Sequence, residues 1–244
     1  MRHRLLIVFG LAALLVAASV ATTQGSHRRG CSIKHAEVIV QSKDARVLAT
    51  KPRISGQLQV RKVYACSFSK GKLIPLGTDK SFQEENGPAP AQKLIEAIAL
   101  DEYGGEAVGY SIQRCTAEDS NGNSTCSAEV RVKSLHSGKL TASADAGARV
   151  WTLVVPGIAY AGYIAELPNG TVNVHRLVRD DDRVIDTGTE AQIDVGSLAT
   201  PLGWRNASSG GGAPNPDIYW KASDGAHVAS VKCGFQGEEP CPVP

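Results

Sequence analysis

The chain is poor in aromatic residues. Phe, Trp and Tyr together make up 5% of its 244 residues, and there is a single Met. Sugar-binding clefts stack their ligands on exposed aromatics, so this scarcity weighs against a lectin. Metal and redox signatures are missing as well. No CxxC occurs, and the six His, at 3, 27, 35, 136, 175 and 227, are scattered. A structural zinc site and a thioredoxin-like centre both lose their usual signal. HExxH and GxxxxGK[ST] are absent too, which removes the common metalloprotease and P-loop signatures. Gly109-Tyr110-Ser111-Ile112-Gln113 lacks the final Gly of a nucleophile elbow. Long apolar runs are missing after the first twenty residues, so no later segment reaches membrane-spanning length. A charge excess is lacking: 26 Lys and Arg face 24 Asp and Glu. A dedicated nucleic-acid binder normally carries a strong basic surplus.

The N-terminus, by contrast, has a clear pattern. Arg2 and Arg4 precede an uncharged apolar run from Leu5 to Val20, and Ser19-Val20-Ala21 offers small residues at a cleavage site. Residues 1–21 are expected to form a secretory signal peptide, because a run of about 16 residues is short for a transmembrane anchor. Arg28-Arg29-Gly30 before Cys31 argues against a lipid-modified cysteine. Without residues 1–21 the basic and acidic counts are equal, at 24 each. The small positive charge belongs to the leader. The expected location is extracellular or in the cell envelope, with no membrane span after cleavage.

All six cysteines, Cys31, Cys66, Cys115, Cys126, Cys233 and Cys241, follow the leader. An even number in an oxidising compartment implies disulfides. Six cysteines allow 15 connectivities, which sequence does not choose between. Spacing favours Cys115–Cys126 and Cys233–Cys241 as local loops, leaving Cys31–Cys66.

With 25 Gly and 12 Pro spread along the chain, long helices are not expected. Alternating runs point to strands instead. Val63 to Ser67 leads through Lys70-Gly71 to Leu73, and Val130 to Ser134 leads through Ser137-Gly138 to Leu140. Val172 to Val178 turns at Asp180-Asp181-Asp182 into Arg183-Val184-Ile185, and Ile218 to Ala222 turns at Asp224-Gly225 into His227 to Val231. Val150 to Val155 and Ile158 to Ala165 add a pair of strands before the third turn. Ala91 to Leu100 fits either a short helix, through Leu94, Ile95, Ile98 and Ala99, or a strand. Four strands per unit of about 40–45 residues is the scale of a propeller blade. The expected fold is all-β: a propeller-like array of about four β-meander blades, with a β-sandwich as the alternative. The expected division is a signal peptide at 1–21, an N-terminal segment at 22–34, the β-repeat domain at 35–231 and a disulfide-bearing tail at 232–244.

These hairpins, with Cys31…Cys66, Arg183-Val184-Ile185-Asp186-Thr187-Gly188, Ile193 to Ala199 and Ile218-Tyr219-Trp220, resemble a group of uncharacterised bacterial secreted proteins carrying tandem β-meander repeats of propeller type. The resemblance spans roughly residues 31–231. It implies architecture and supplies no catalytic residues. The long Gly/Ser/Pro stretch Asn206 to Pro216 departs from the pattern in the fourth unit.

Two acidic motifs invite a calcium reading. Asp119-Ser120-Asn121-Gly122-Asn123 opens like an EF-hand loop, but Ser124 stands where Gly is needed and Val130 where a carboxylate is needed. Asp180-Asp181-Asp182 sits at a turn, which Asp favours through its own backbone bonding. Neither is assigned a metal, and no cofactor is expected. His136 and His227 are expected at solvated turns, and His175 on a solvent face. Trp151, Trp204, Trp220, Tyr160 and Tyr163 are expected to pack in the core. The sequons at Asn123, Asn169 and Asn206 would accept glycan only in a eukaryotic secretory route.

The composition and motifs favour a secreted, non-enzymatic binding or scaffold module for an unspecified extracellular or envelope partner, with loops 115–126 and 206–217 as binding elements. The first alternative is a secreted hydrolase or lyase drawing acid and base groups from Asp, Glu and His at the centre of the array. The second is a cell-envelope structural protein.

Overall fold

A computed structural model describes residues 30–82, 88–101, 105–200 and 217–241. The expected leader, Trp204, Asn206 and most of the 206–217 loop lie outside them. The described residues form fifteen strands, all paired antiparallel: β1 (Glu37–Gln41), β2 (Ala45–Ala49), β3 (Arg53–Ser55), β4 (Leu58–Ser67), β5 (Leu73–Phe82), β6 (Gln92–Leu100), β7 (Ala107–Cys115), β8 (Cys126–Ser134), β9 (Leu140–Asp145), β10 (Arg149–Gly157), β11 (Tyr160–Glu166), β12 (Val172–Val178), β13 (Asp181–Gly188), β14 (Asp217–Ala222) and β15 (Gly225–Ser230). Among the described residues no sheet closes on itself.

The strands fall into three sheets. One runs β1-β2-β4-β5-β6-β7-β8-β9, with β3 paired to the start of β4; the second runs β10-β11-β12-β13; the third is the hairpin β14-β15. Within the largest sheet, β5 and β6 share one residue pair, Lys80 with Lys93. The carboxylate of Asp79 spans this thin joint. It accepts the Arg61 Nε–H at 2.6 Å from β4 and the Ile95 N–H at 3.1 Å from β6. The largest sheet is therefore two four-stranded meanders hinged at β5–β6.

Three apolar cores lie between successive layers. Val47, Val63 and Ile74 of the first meander meet Val108, Tyr110 and Ile112 of β7. The next core joins Val130 and Val132 of β8 to Leu153, Tyr163 and Leu177 of the second sheet. The third joins Ile164, Val174 and Ile185 to Ile218 and Trp220 of the last hairpin. Period-2 geometry makes this possible. Along β11, Ala161, Tyr163 and Ala165 face one core while Ile164 faces the next. Both faces of the inner sheets are covered, so their strands read as nearly continuous apolar runs.

Within residues 91–100, Gln92–Leu100 resolve as strand β6, which decides against the helical option. Ala97 takes φ 44°, and the register with β7 slips between Glu96 and Ala99. This bulge resets the alternation. Ile95 and Ile98 thereby reach the same core, a three-residue spacing that imitates a helix. The Lys-Gly-Lys and Ser-Gly-Lys turns behave as expected: Gly71 and Gly138 have φ of 63° and 75°, a conformation that favours glycine.

The three expected disulfides are present: Cys31–Cys66, Cys115–Cys126 and Cys233–Cys241. Cys115 and Cys126 sit directly opposite each other at the shared end of β7 and β8. Cys31 pins the N-terminal segment onto β4, and Arg46 reinforces it by donating to the Cys31 carbonyl at 2.8 Å. Among the described residues no helix is long and apolar enough to cross a membrane.

Candidate functional site

Three strands from three different meanders converge on one cleft. Val40, Gln41 and Ser42 come from β1 and its turn, Ile98, Ala99 and Leu100 from β6, and Leu153, Val154 and Val155 from β10. The cleft encloses about 330 Å³. That lies at the small end of the 300–1,000 Å³ usual for small-molecule sites. Each of the three strands is the first of its meander, so the cleft lies where the leading strands of three meanders meet. Its lining is mostly aliphatic, with Ala99 the small residue among Val, Ile and Leu, and with Leu100, Leu153 and Val155 largely buried in the adjoining cores. Gln41 and Ser42 are the polar side chains at its lip. Ser42 is committed to its own turn, where its Oγ accepts the N–H groups of Asp44 and Ala45. None of the nine lining residues titrates. The chemistry on offer is burial of an apolar body beside one amide.

Acid-base chemistry is concentrated elsewhere, in the packing between β11, β12 and β13. His175 Nδ1 lies 3.0 Å from Asp182 Oδ2, and the imidazole stacks on the Tyr163 ring. His175 was expected on a solvent face and is buried. The alternation that placed it there assumes one wet face per sheet, whereas this sheet has layers packed on both sides. A carboxylate at Nδ1 fixes the proton on that nitrogen. Nε2 is then left buried without a partner, as are Asp182 Oδ1 and the Tyr163 hydroxyl. Burial, and after it the nearby Asp182 carboxylate, push the Tyr163 hydroxyl far above the ordinary tyrosine range. The residue types match a catalytic dyad, but His175 is buried between sheets, Asp182 is only part-exposed, and neither lines the cleft.

The acidic motifs resolve into ordinary turn and pairing roles. Asp119 Oδ1 accepts the N–H groups of Asn121 and Asn123. These bonds hold its exposed carboxyl below the usual range. Of the three adjacent aspartates, Asp181 accepts from Arg176 Nη2 at 2.7 Å on one face of β12. Asp182 serves His175 on the other. Alternation along the strand sends the two carboxylates apart, which separates the ligands a shared cation would need. Among the described residues no group of three or more His, Cys, Asp or Glu is arranged to hold a metal ion.

Several other expected residues have ordinary structural positions. His136 is exposed at the β8–β9 turn. His227 is part-exposed, stacks on Trp220 and contacts Asp224 at 2.7 Å. Trp220 is buried in the third core and donates to Asp186 at 2.5 Å. Sequence reasoning missed the cleft, because its walls come from three distant segments. Only the repeated meander pattern pointed to such a meeting place.

The fold and site define an all-β, three-disulfide chain of stacked meanders with an apolar cleft where three of its strands meet. No protein-family model matches the chain, and no curated protein matches it.

Proposed function

We propose that the protein is a secreted, non-enzymatic binding module, built as a propeller-like array of β-meanders, whose cleft seats a small apolar ligand. The cleft carries the proposal: three aliphatic strands enclose a volume of ligand size, and Gln41 supplies one hydrogen-bonding group. Export is supported by the apolar leader and by three disulfides, which persist in oxidising compartments. The array is supported by successive four-stranded meanders with a core between each pair of layers. A hydrolase would need converging ionisable groups in the cleft, and its lining offers aliphatic groups instead. The ligand class is a compact hydrocarbon with one polar end.

The test is a fluorescence titration with 1-aminoanthracene, a neutral apolar dye, followed by displacement with short-chain alcohols. Saturable one-site binding is expected, reduced about tenfold or more when Ala99→Leu narrows the cleft. Failure to saturate would reject the cleft as a ligand seat. So would binding that Ala99→Leu leaves unchanged, with the thermal melt preserved.

A further inference from the structure

Among the described residues the last hairpin has one long edge with no strand paired to it. Tyr219 exchanges both backbone hydrogen bonds with Ala199, each at 2.9 Å, and Lys221 accepts from Asp194 at 3.0 Å. On β14, therefore, these residues direct their backbone groups away from β15. Tyr219 is paired with Val228 and Lys221 with Ala226. In an antiparallel ladder both members of such a pair point their N–H and C=O groups outward. Ala226 and Val228 thus present two donors and two acceptors along the outer edge of β15.

Three other sheet edges are protected. β1 is kinked by a bulge between Val38 and Val40. β9 is occupied where Ser143 N–H donates to the Arg179 carbonyl at 3.2 Å. β13 carries Asp181, Asp182, Arg183 and Asp186. Bulges, covering segments and charges are the devices that keep edges from pairing. β15, with the sequence Gly-Ala-His-Val-Ala-Ser, has no bulge, no Pro and no Lys, Arg, Asp or Glu. Beside it, Tyr219 and Val228 form an exposed apolar cross-strand pair.

We propose that β15 is a self-association edge, pairing antiparallel with β15 of a second copy to make a four-stranded sheet across a two-fold axis. The edge matches itself. Because β15 is uncharged, bringing two copies together meets no like-charge repulsion. Placing Ala226 opposite Val228 of the copy uses all four free groups on each side, and on that face the two Val228 side chains become diagonal neighbours across the axis, each Tyr219–Val228 row running on into Ala226 and Lys221 of the other copy. That register sets His227 directly opposite its counterpart. Ser230 fits a shifted register poorly, since its carbonyl already accepts from Cys233 N–H at 3.0 Å. A six-residue edge buries less than the roughly 1,200 Å² at which stable interfaces begin, so the dimer is reversible and concentration-dependent.

Sedimentation equilibrium of the disulfide-bonded chain over a wide concentration range tests this. A monomer–dimer equilibrium is expected, weakened about tenfold or more by Val228→Lys, which installs an edge charge at an exposed position. His227→Cys provides the register test, because non-hydrogen-bonded antiparallel partners lie about 4.5 Å apart at Cα, within disulfide reach. Peptide mapping after mild oxidation should find a 227–227 link between copies. A chain that stays monomeric at every concentration overturns the proposal. So does a dimer that persists in Val228→Lys with an unchanged melt, or an oxidised dimer lacking the 227–227 link.

Discussion

The imidazole of His175 lies flat against the ring of Tyr163, with centroids 4.4 Å apart and planes 9° apart, between two sheets that exclude water. The Tyr163 hydroxyl is buried there without a hydrogen-bond partner. Removing an unsatisfied polar atom is nearly free, whereas stranding one is costly. Tyr163→Phe should therefore leave the urea midpoint close to that of the parent. Asp182→Ala, which strips His175 Nδ1 of its partner, should cost about 1–3 kcal/mol. A larger loss for Tyr163→Phe than for Asp182→Ala would mean that the hydroxyl is well satisfied and the dyad unimportant to packing.

The same burial has an alkaline consequence. Tyr163 has its folded pKa raised, first by desolvation and then by Asp182. A group raised in this way holds its proton in the native state after the unfolded chain has released it. Its stabilisation is full below the unfolded value of about 10 and declines as the pH rises past it. Stability should fall more steeply above that pH in the parent than in Tyr163→Phe. Parallel slopes in thermal melts taken from neutral to alkaline pH would refute this.

Arg176 and Asp181 form an unequal pair. The guanidinium is fully buried, while about a third of the aspartate side chain reaches solvent. Asp181→Ala leaves a buried cation with only the Asp181 carbonyl, 2.8 Å from Nη1. Arg176→Met leaves a carboxylate that water can reach. Asp181→Ala should be the more damaging change, by on the order of 2 kcal/mol, below the 3–5 typical of wholly buried pairs because one partner is part-exposed. Burial works to raise the Asp181 pKa, but the Arg176 hydrogen bond and the charges of Arg176 and Arg183 prevail and hold it below the ordinary value. The stabilisation is then complete above about pH 4 and lost as the pH falls through the lower folded pKa. Chemical denaturation of both variants between neutral and acid pH checks the order and the window.

How far the fold could be read from sequence depended on whether the signal was local. Hairpins announced themselves because a turn residue and its flanking alternation are adjacent: Gly71, Gly138 and Gly225 each stand at a strand junction. The aspartate run Asp180-Asp181-Asp182 puts the third turn slightly late. Strand β13 already begins at Asp181, and Arg179, with φ 58°, takes the left-handed position instead of an aspartate or glycine. The alternating pattern ends one strand at Val155 and starts the next at Ile158, yet Pro156 and Gly157 belong to β10 and the chain turns at Ile158-Ala159. The disulfides followed from spacing because two of the three close short loops. Layering was less legible. His175 and Arg176 are adjacent, and both are buried because β12 has a core on each side. The cleft depends on three segments separated by 50 residues or more, which no local pattern encodes.

Gly109 shows how tightly those layers meet. A Cβ there would lie 2.4 Å from Val155 Cγ2 and 2.8 Å from Leu153 Cδ2, so β7 and β10 approach with no room for a methyl group. Val155 is β-branched and cannot swing aside easily. Gly109→Ala should destabilise by about 1–3 kcal/mol through overpacking, despite alanine's lower conformational entropy cost in a strand. The loss should be partly recovered in Gly109→Ala combined with Val155→Ala, which removes the nearest obstructing methyl group. Val155→Ala alone is itself destabilising, since it opens a cavity in a buried core position. The double variant should therefore lose clearly less than the sum of the two single variants. Both sites contact each other directly, which is the condition under which additivity fails. Strict additivity in a thermal or urea double-mutant cycle would show that the layers relax around the new methyl group, and that the close approach at Gly109 imposes no constraint.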